Sequence, residues 1–150
     1  MEVDKREQTW AKLKNQAISS LELEKVGLGA VCLELEQLSD ALNQLAEMQK
    51  DYHPDQFDTE KNTSIDALRR NWTFLSNLEK AIRKTNEHKV IIKKKEVAIR
   101  EQCVELESEV KKYETLESRA ATNRKKAEVL KESKAADEMA SSYWLRQKNE

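Results

Sequence analysis

The sequence predicts an all-α fold, a long antiparallel two-helix coiled-coil hairpin with unequal arms. The first observation is a seven-residue spacing in the first half, where Leu28, Leu35 and Leu42 interleave with Val31, Leu38, Leu45 and Tyr52. That pattern is the apolar seam of a helix that lies along another helix. The second is the same spacing later on, Ile99, Leu106 and Tyr113, with Cys103 and Val110 four residues after the first two. The third is the only proline, Pro54, in the polar run Tyr52-His53-Pro54-Asp55-Gln56-Phe57-Asp58 between the halves.

Composition narrows the alternatives. With 37% charged residues in 150, there is material for one structural unit and little for a globular core. Two glycines and one proline provide few turns, and no alternating strand pattern is present. Sustained heptads argue against the disorder that high charge alone would suggest. Neither terminus carries an apolar leader pattern, and no stretch approaches the ~18–20 apolar residues of a membrane span. The expectation is a cytoplasmic protein without an integral membrane segment.

In order along the chain, helix 1 is expected over about 4–51, a loop over 52–63 and helix 2 over about 64–142. Thr63 with Asp66 reads as a variant capping box opening helix 2. Helix 1 is acidic (Glu22, Glu24, Glu34, Glu36, Asp40, Glu47), whereas helix 2 carries Arg83/Lys84, Lys93-Lys94-Lys95, Lys111/Lys112 and Arg124-Lys125-Lys126. This asymmetry favours antiparallel pairing modestly. If the arms fold around Pro54, Cys32 lies near Lys84 and Cys103 near Leu13, too far apart for a disulfide. Helix 1 would then cover helix 2 only to about Tyr113. Beyond residue 115 the end would project, because Glu117, Ala120, Arg124 and Ala127 make a poor seam. The stripe Ile65, Leu68, Trp72 and Leu75 gives way to Leu78, Ile82 and Ile92, which predicts a phase slip in helix 2. Gly27 and Gly29 lie mid-helix and mark either a local bend or close approach of a partner's backbone.

Catalytic chemistry is not legible. His53 among Asp51, Asp55 and Asp58 lacks the ligand spacing and glycine of a calcium loop, neither cysteine has a CxxC partner, and no phosphate-binding glycine motif occurs. The expectation is a non-enzyme with no cofactor and no metal. Glutamates interleave with the basic clusters, so these read as solvated faces or as contacts for an acidic protein surface, not as a nucleic-acid site. Two stripes share one spacing beside the seam: Ala41, Leu45, Met48 and Tyr52 on helix 1, and Phe74, Leu78, Ala81 and Thr85 on helix 2. Their surplus apolar surface suits either a docking patch or a wider core near the turn.

Gln49-Lys50-Asp51-Tyr52, the segment Trp72-Thr73-Phe74-Leu75-Ser76-Asn77-Leu78-Glu79-Lys80-Ala81-Ile82, and the tail from Tyr113 through Lys131 to Asp137-Glu138-Met139 carry a resemblance. From about Leu38 onward the chain resembles the FliJ family of bacterial flagellar export proteins. The resemblance implies a non-enzymatic stalk of the flagellar type III export apparatus, at the cytoplasmic face of the inner membrane at the flagellar base. Its terminal end would enter the ring of the export ATPase FliI, which FliH accompanies, with Arg119, Arg124, Lys125 and Lys126 as contacts. Its loop end would reach the export gate protein FlhA. The family's gate-binding positions fall on Ala41, Leu45, Met48, Tyr52, Phe74, Leu78, Ala81 and Thr85. Relatives can carry Tyr and His where this chain has Met48 and Thr85. A stalk of a virulence injectisome, or a generic coiled-coil scaffold or tethering subunit, are the other readings.

Overall fold

The computed structural model describes residues 2–52 and 64–149, with side chains described from Lys5 onward. Two helices account for it: α1, Glu2–Asp51, of 50 residues, and α2, Ile65–Lys148, of 84 residues. No strand occurs among the described residues, and the fold is the all-α helical hairpin that the heptads predict. Pro54, His53, Asp55, Asp58 and Thr63 lie outside the described residues. The helices contribute to two compact units, one of residues 23–103 and one of residues 1–22 with 104–150.

In the 23–103 unit, the inward positions of α1 are Glu24, Leu28, Val31, Leu35, Leu38, Leu42, Leu45 and Gln49. Those of α2 are Asn71, Leu75, Leu78, Ile82, Thr85, Lys89, Ile92, Glu96, Ile99 and Cys103. Both series alternate steps of three and four without interruption, the spacing that keeps one face toward a partner helix. The expected phase slip is therefore absent: Leu75 is inward, but Ile65, Leu68 and Trp72 are exposed.

The reason is the pairing register. Tyr52, just past the end of α1, meets Phe74 edge-on at 4.8 Å between ring centroids. His88 Nε2 lies 3.5 Å from Glu34 Oε1, and an Arg100 Nη2 donates to Cys32 Sγ at 3.9 Å. Each contact lies several residues further along α2 than a hairpin folded symmetrically about Pro54 would give. The first turns of α2 thus overshoot the end of α1, and the apolar side chains of Ile65, Leu68 and Trp72 there are exposed. Cys32 sits against Arg100, not Lys84, and both cysteines are free thiols.

Ser64 caps α2. Its Oγ accepts from the Ala67 N–H at 3.2 Å, while its carbonyl accepts from Ala67 and Leu68. A hydroxyl one residue before the helix satisfies a donor with no partner inside it, and Asp66 in the first turn complements the helix dipole. The cap among the described residues is thus Ser64, and the box expected from Thr63 and Asp66 involves a residue outside them.

In the terminal unit Trp10, Lys14, Ala17 and Leu21 face Leu106, Val110, Tyr113, Glu117, Ala120 and Arg124. Trp10 stacks on Tyr113 with centroids 6.1 Å apart. Lys14 Nζ donates to Glu117 Oε2 at 2.7 Å, and Arg124 Nε donates to Glu7 Oε2 at 2.8 Å. Coverage of α2 therefore continues to Arg124 instead of stopping near Tyr113. The charged residues that read as the end of the seam are cross-helix ion pairs, half-buried on both sides. Solvent screens them, so each contributes at most about 1 kcal/mol; they fix partner and register more than they stabilise. From Lys125 to Asn149 every residue of α2 is exposed.

Neither glycine has a positive φ, and a Cβ built on Gly27 or Gly29 meets nothing within 4 Å. Both are helical residues that this chain's own packing does not require. Gly27→Ala and Gly29→Ala are each expected to raise stability by about 0.5–1 kcal/mol, measured by thermal or urea unfolding followed by circular dichroism. Leu78, 5% exposed, is expected to cost about 2–3 kcal/mol when changed to Ala. A loss below about 0.5 kcal/mol in the same unfolding experiment would contradict its place in the seam.

Candidate partner-binding surfaces

Without a described metal cluster, a phosphate-binding loop or an enclosed site, the features able to meet another molecule are surfaces. No described helix is long and apolar enough to cross a membrane. The Glu96 carboxylate hydrogen-bonds Arg100 at 2.9 Å and raises its already high pKa, which changes no charge near neutrality.

At the loop end, the eight sequence-derived residues divide into two sets. Leu78 is buried, and Leu45, Ala41, Ala81 and Thr85 are half-buried. The Thr85 hydroxyl is turned back to the Ala81 carbonyl at 2.8 Å, so it satisfies itself within the helix. These five belong mainly to the seam or its margin. Met48, Tyr52 and Phe74 are exposed, at 45%, 42% and 39%. Burying one edge of Phe74 against Tyr52 orients both rings while leaving their outer faces to solvent.

Three further residues join this exposed set: Ile65, Leu68 and Trp72. Sequence reasoning assigned them to the seam because their spacing is helical. The signal that distinguishes them is Asn71, which occupies the seam position beside Trp72 and starts the uninterrupted three-four series. The loop end of the 23–103 unit therefore presents Met48, Tyr52, Ile65, Leu68, Trp72 and Phe74, a concentration of large apolar side chains in a chain that is 37% charged. Exposed apolar surface of this kind makes the loop end a candidate contact surface.

At the terminal end, Arg119, Lys125 and Lys126 are exposed, whereas Arg124 is half-buried. Arg124 holds Glu7 at 2.8 Å and Glu128 at 3.4 Å, so its first role is within the fold. Lys125 and Lys126 line a shallow groove on α2 with Thr122, Val129, Leu130 and Ser133. Further along, Tyr143, Trp144 and Leu145 are exposed, and Lys148 Nζ lies 4.7 Å over the Trp144 ring.

The hairpin thus presents, among its described residues, exposed apolar side chains at the loop end and an uncovered helix from Lys125 onward. Residues 3–149 match the family profile described as "Flagellar FliJ protein". The chain belongs to the FliJ family, and with it to the proteins of flagellar export. No curated protein and no solved structure matches the chain.

Phe74→Ala is expected to cost about 1 kcal/mol of stability, the worth of one edge-to-face aromatic contact with partial burial. Trp72→Ala, at a 64% exposed position, is expected to cost less than about 0.5 kcal/mol. Urea unfolding of both variants checks the assignment; a loss above about 3 kcal/mol for Trp72 would mean that it is core.

Proposed function

We propose that this protein is a stalk of the flagellar export apparatus, whose terminal end engages the ring of the export ATPase FliI with its companion FliH, and whose loop end engages the export gate protein FlhA. It would act in the cytoplasm at the inner face of the membrane at the flagellar base. The observation that carries the reading is the exposed apolar patch at the loop end, on a member of a flagellar export family. Met48, Tyr52 and Phe74 are the gate contacts in this reading, extended by Ile65, Leu68 and Trp72. Leu45 and Leu78 support them from the seam, and Ala41, Ala81 and Thr85 form the margin.

The mechanism is mechanical and needs no chemistry from this chain. Both α1 and α2 contribute residues to each compact unit. Interactions at the terminal end would favour assembly of the ATPase ring, and the loop end would report that state to the gate. At the terminal end, Lys125 and Lys126, with Arg119, supply positive charge for an acidic lining. Arg124 contributes chiefly by holding α2 to α1.

The test separates the two ends. Reversing Lys125 and Lys126 to Glu changes the exposed charge offered to the ATPase and keeps Arg124 with Glu7 and Glu128. It is expected to leave the hairpin folded, to reduce stimulation of the cognate ATPase, and to leave gate binding intact. A double Trp72→Ala/Phe74→Ala variant is expected to do the reverse, losing about 2 kcal/mol or more of gate affinity with ATPase stimulation unchanged. Phosphate release and a gate pull-down measured on both proteins decide it. Unchanged gate binding by the double variant would refute the loop-end assignment.

A further inference from the structure

The face of α1 turned away from its seam carries a second apolar stripe. Leu23, Val26, Ala30 and Leu33 recur at i, i+3, i+7 and i+10, which puts them on one side of the helix, about 150° from the seam line of Leu28, Val31 and Leu35. All four are exposed, Leu23 and Val26 at 73% each. Gly27 and Gly29 flank the stripe, and no neighbour inside this chain fills the space their missing side chains leave. Two glycines weaken a helix. Beside an exposed apolar stripe, they permit another helix to approach closely.

The outward face of α2 in the same unit carries the counterpart. Val90, Ile91 and Val97 are exposed at 54%, 63% and 51%, with Ala98 exposed beside them. The rims of the two faces have opposite charge. Glu34, Glu36 and Asp40 border the α1 stripe, whereas Lys93, Lys94 and Lys95 lie within and beside the α2 stripe and outnumber Glu87 and Glu101, which stand at its two ends, so that the α2 face is net positive. An α1 face laid on another α1 face would oppose acid to acid, and the same holds with the sign reversed for α2 on α2. The charge complement of each face is on this same chain, on its other helix.

We propose that this protein self-associates through these faces, the outer face of α1 in one copy packing on the outer face of α2 in a second copy. The contact is heterologous, joining two different surfaces, and lies away from the loop-end patch and the terminal end. It takes the place of solvent on apolar side chains that the hairpin leaves uncovered. The lysine and acidic rims set which helix pairs with which, and make the association sensitive to salt.

Sedimentation equilibrium on the full chain, from low micromolar to several hundred micromolar, tests the proposal, with circular dichroism as the folding control. Val26→Glu and Val97→Glu, each at an exposed position, are expected to weaken association separately by at least about tenfold while leaving helicity unchanged. The triple variant K93E/K94E/K95E and the double variant E36K/D40K are each expected to be monomeric under conditions where the unmodified chain associates. Mixed together, they are expected to associate again, because the reversed rims are complementary across copies. A chain that remains monomeric at the highest concentration overturns the proposal. So does association that survives both single variants, or a failure of the charge-reversed pair to associate on mixing.

Discussion

A seam only two helices wide buries one face of each helix and no more. That geometric limit governs every other feature of the molecule. Among the described residues the lowest exposures are those of Leu78, Ile92, Val31, Cys103 and others at single-digit percentages, and no side chain is enclosed on all sides. Stability therefore depends on repetition of many modest contacts instead of a few deep ones. Any apolar residue off the three-four series is left facing solvent. The chain tolerates its high charge for the same reason: most positions are outward, and charge there costs nothing to hydrate.

The two compact units use this limit differently. In the 23–103 unit the seam of α1 is almost all leucine and valine, and the aromatic pair Tyr52–Phe74 lies at its loop end. In the terminal unit, alanines, an aromatic stack and two cross-helix ion pairs stand at the seam positions. Half-buried ion pairs add little net stability but are intolerant of the wrong partner, since a misaligned Lys14 or Arg124 would leave a charge partly desolvated. Leucine layers are interchangeable by a heptad, whereas Trp10 on Tyr113 and Lys14 on Glu117 are not. Within the terminal unit these contacts select one register of α1 against α2.

That division explains which parts of the fold were legible in the sequence. Leu28 to Leu45 and Ile99 to Tyr113 announce themselves because only apolar residues occupy the seam there. Lys14, Glu117 and Arg124 stand at positions of the same spacing, but a lone charged residue in a heptad reads as a break until its partner on the other helix is known. The register was lost for a related reason. Folding the arms symmetrically about Pro54 assumes that both helices stop at the same level, whereas α2 starts several residues beyond the end of α1. The same displacement misassigned Ile65, Leu68 and Trp72 to the seam. At the candidate site, Phe74 and Tyr52 were found by spacing. Leu78 was grouped with them although it points inward, because stripes one residue apart differ by only a fraction of a turn.

Function in such a molecule has to be read from what the seam fails to cover. Among the described residues, apolar regions outside it include the loop end around Trp72 and Phe74, the outward faces of α1 and α2 within the 23–103 unit, and the terminal helix around Tyr143 and Trp144. A helical hairpin needs none of them to fold, and each carries a cost in solubility that a purely structural chain would avoid by placing Glu or Lys there. Gly27 and Gly29 strengthen the argument from another direction. They forgo about 1 kcal/mol of helix stability apiece at positions where alanine would fit without contact. Helix stability is given up and apolar surface exposed in the same stretch of α1, so the stability of the hairpin there has to be supplied by the leucine layers that face the other way.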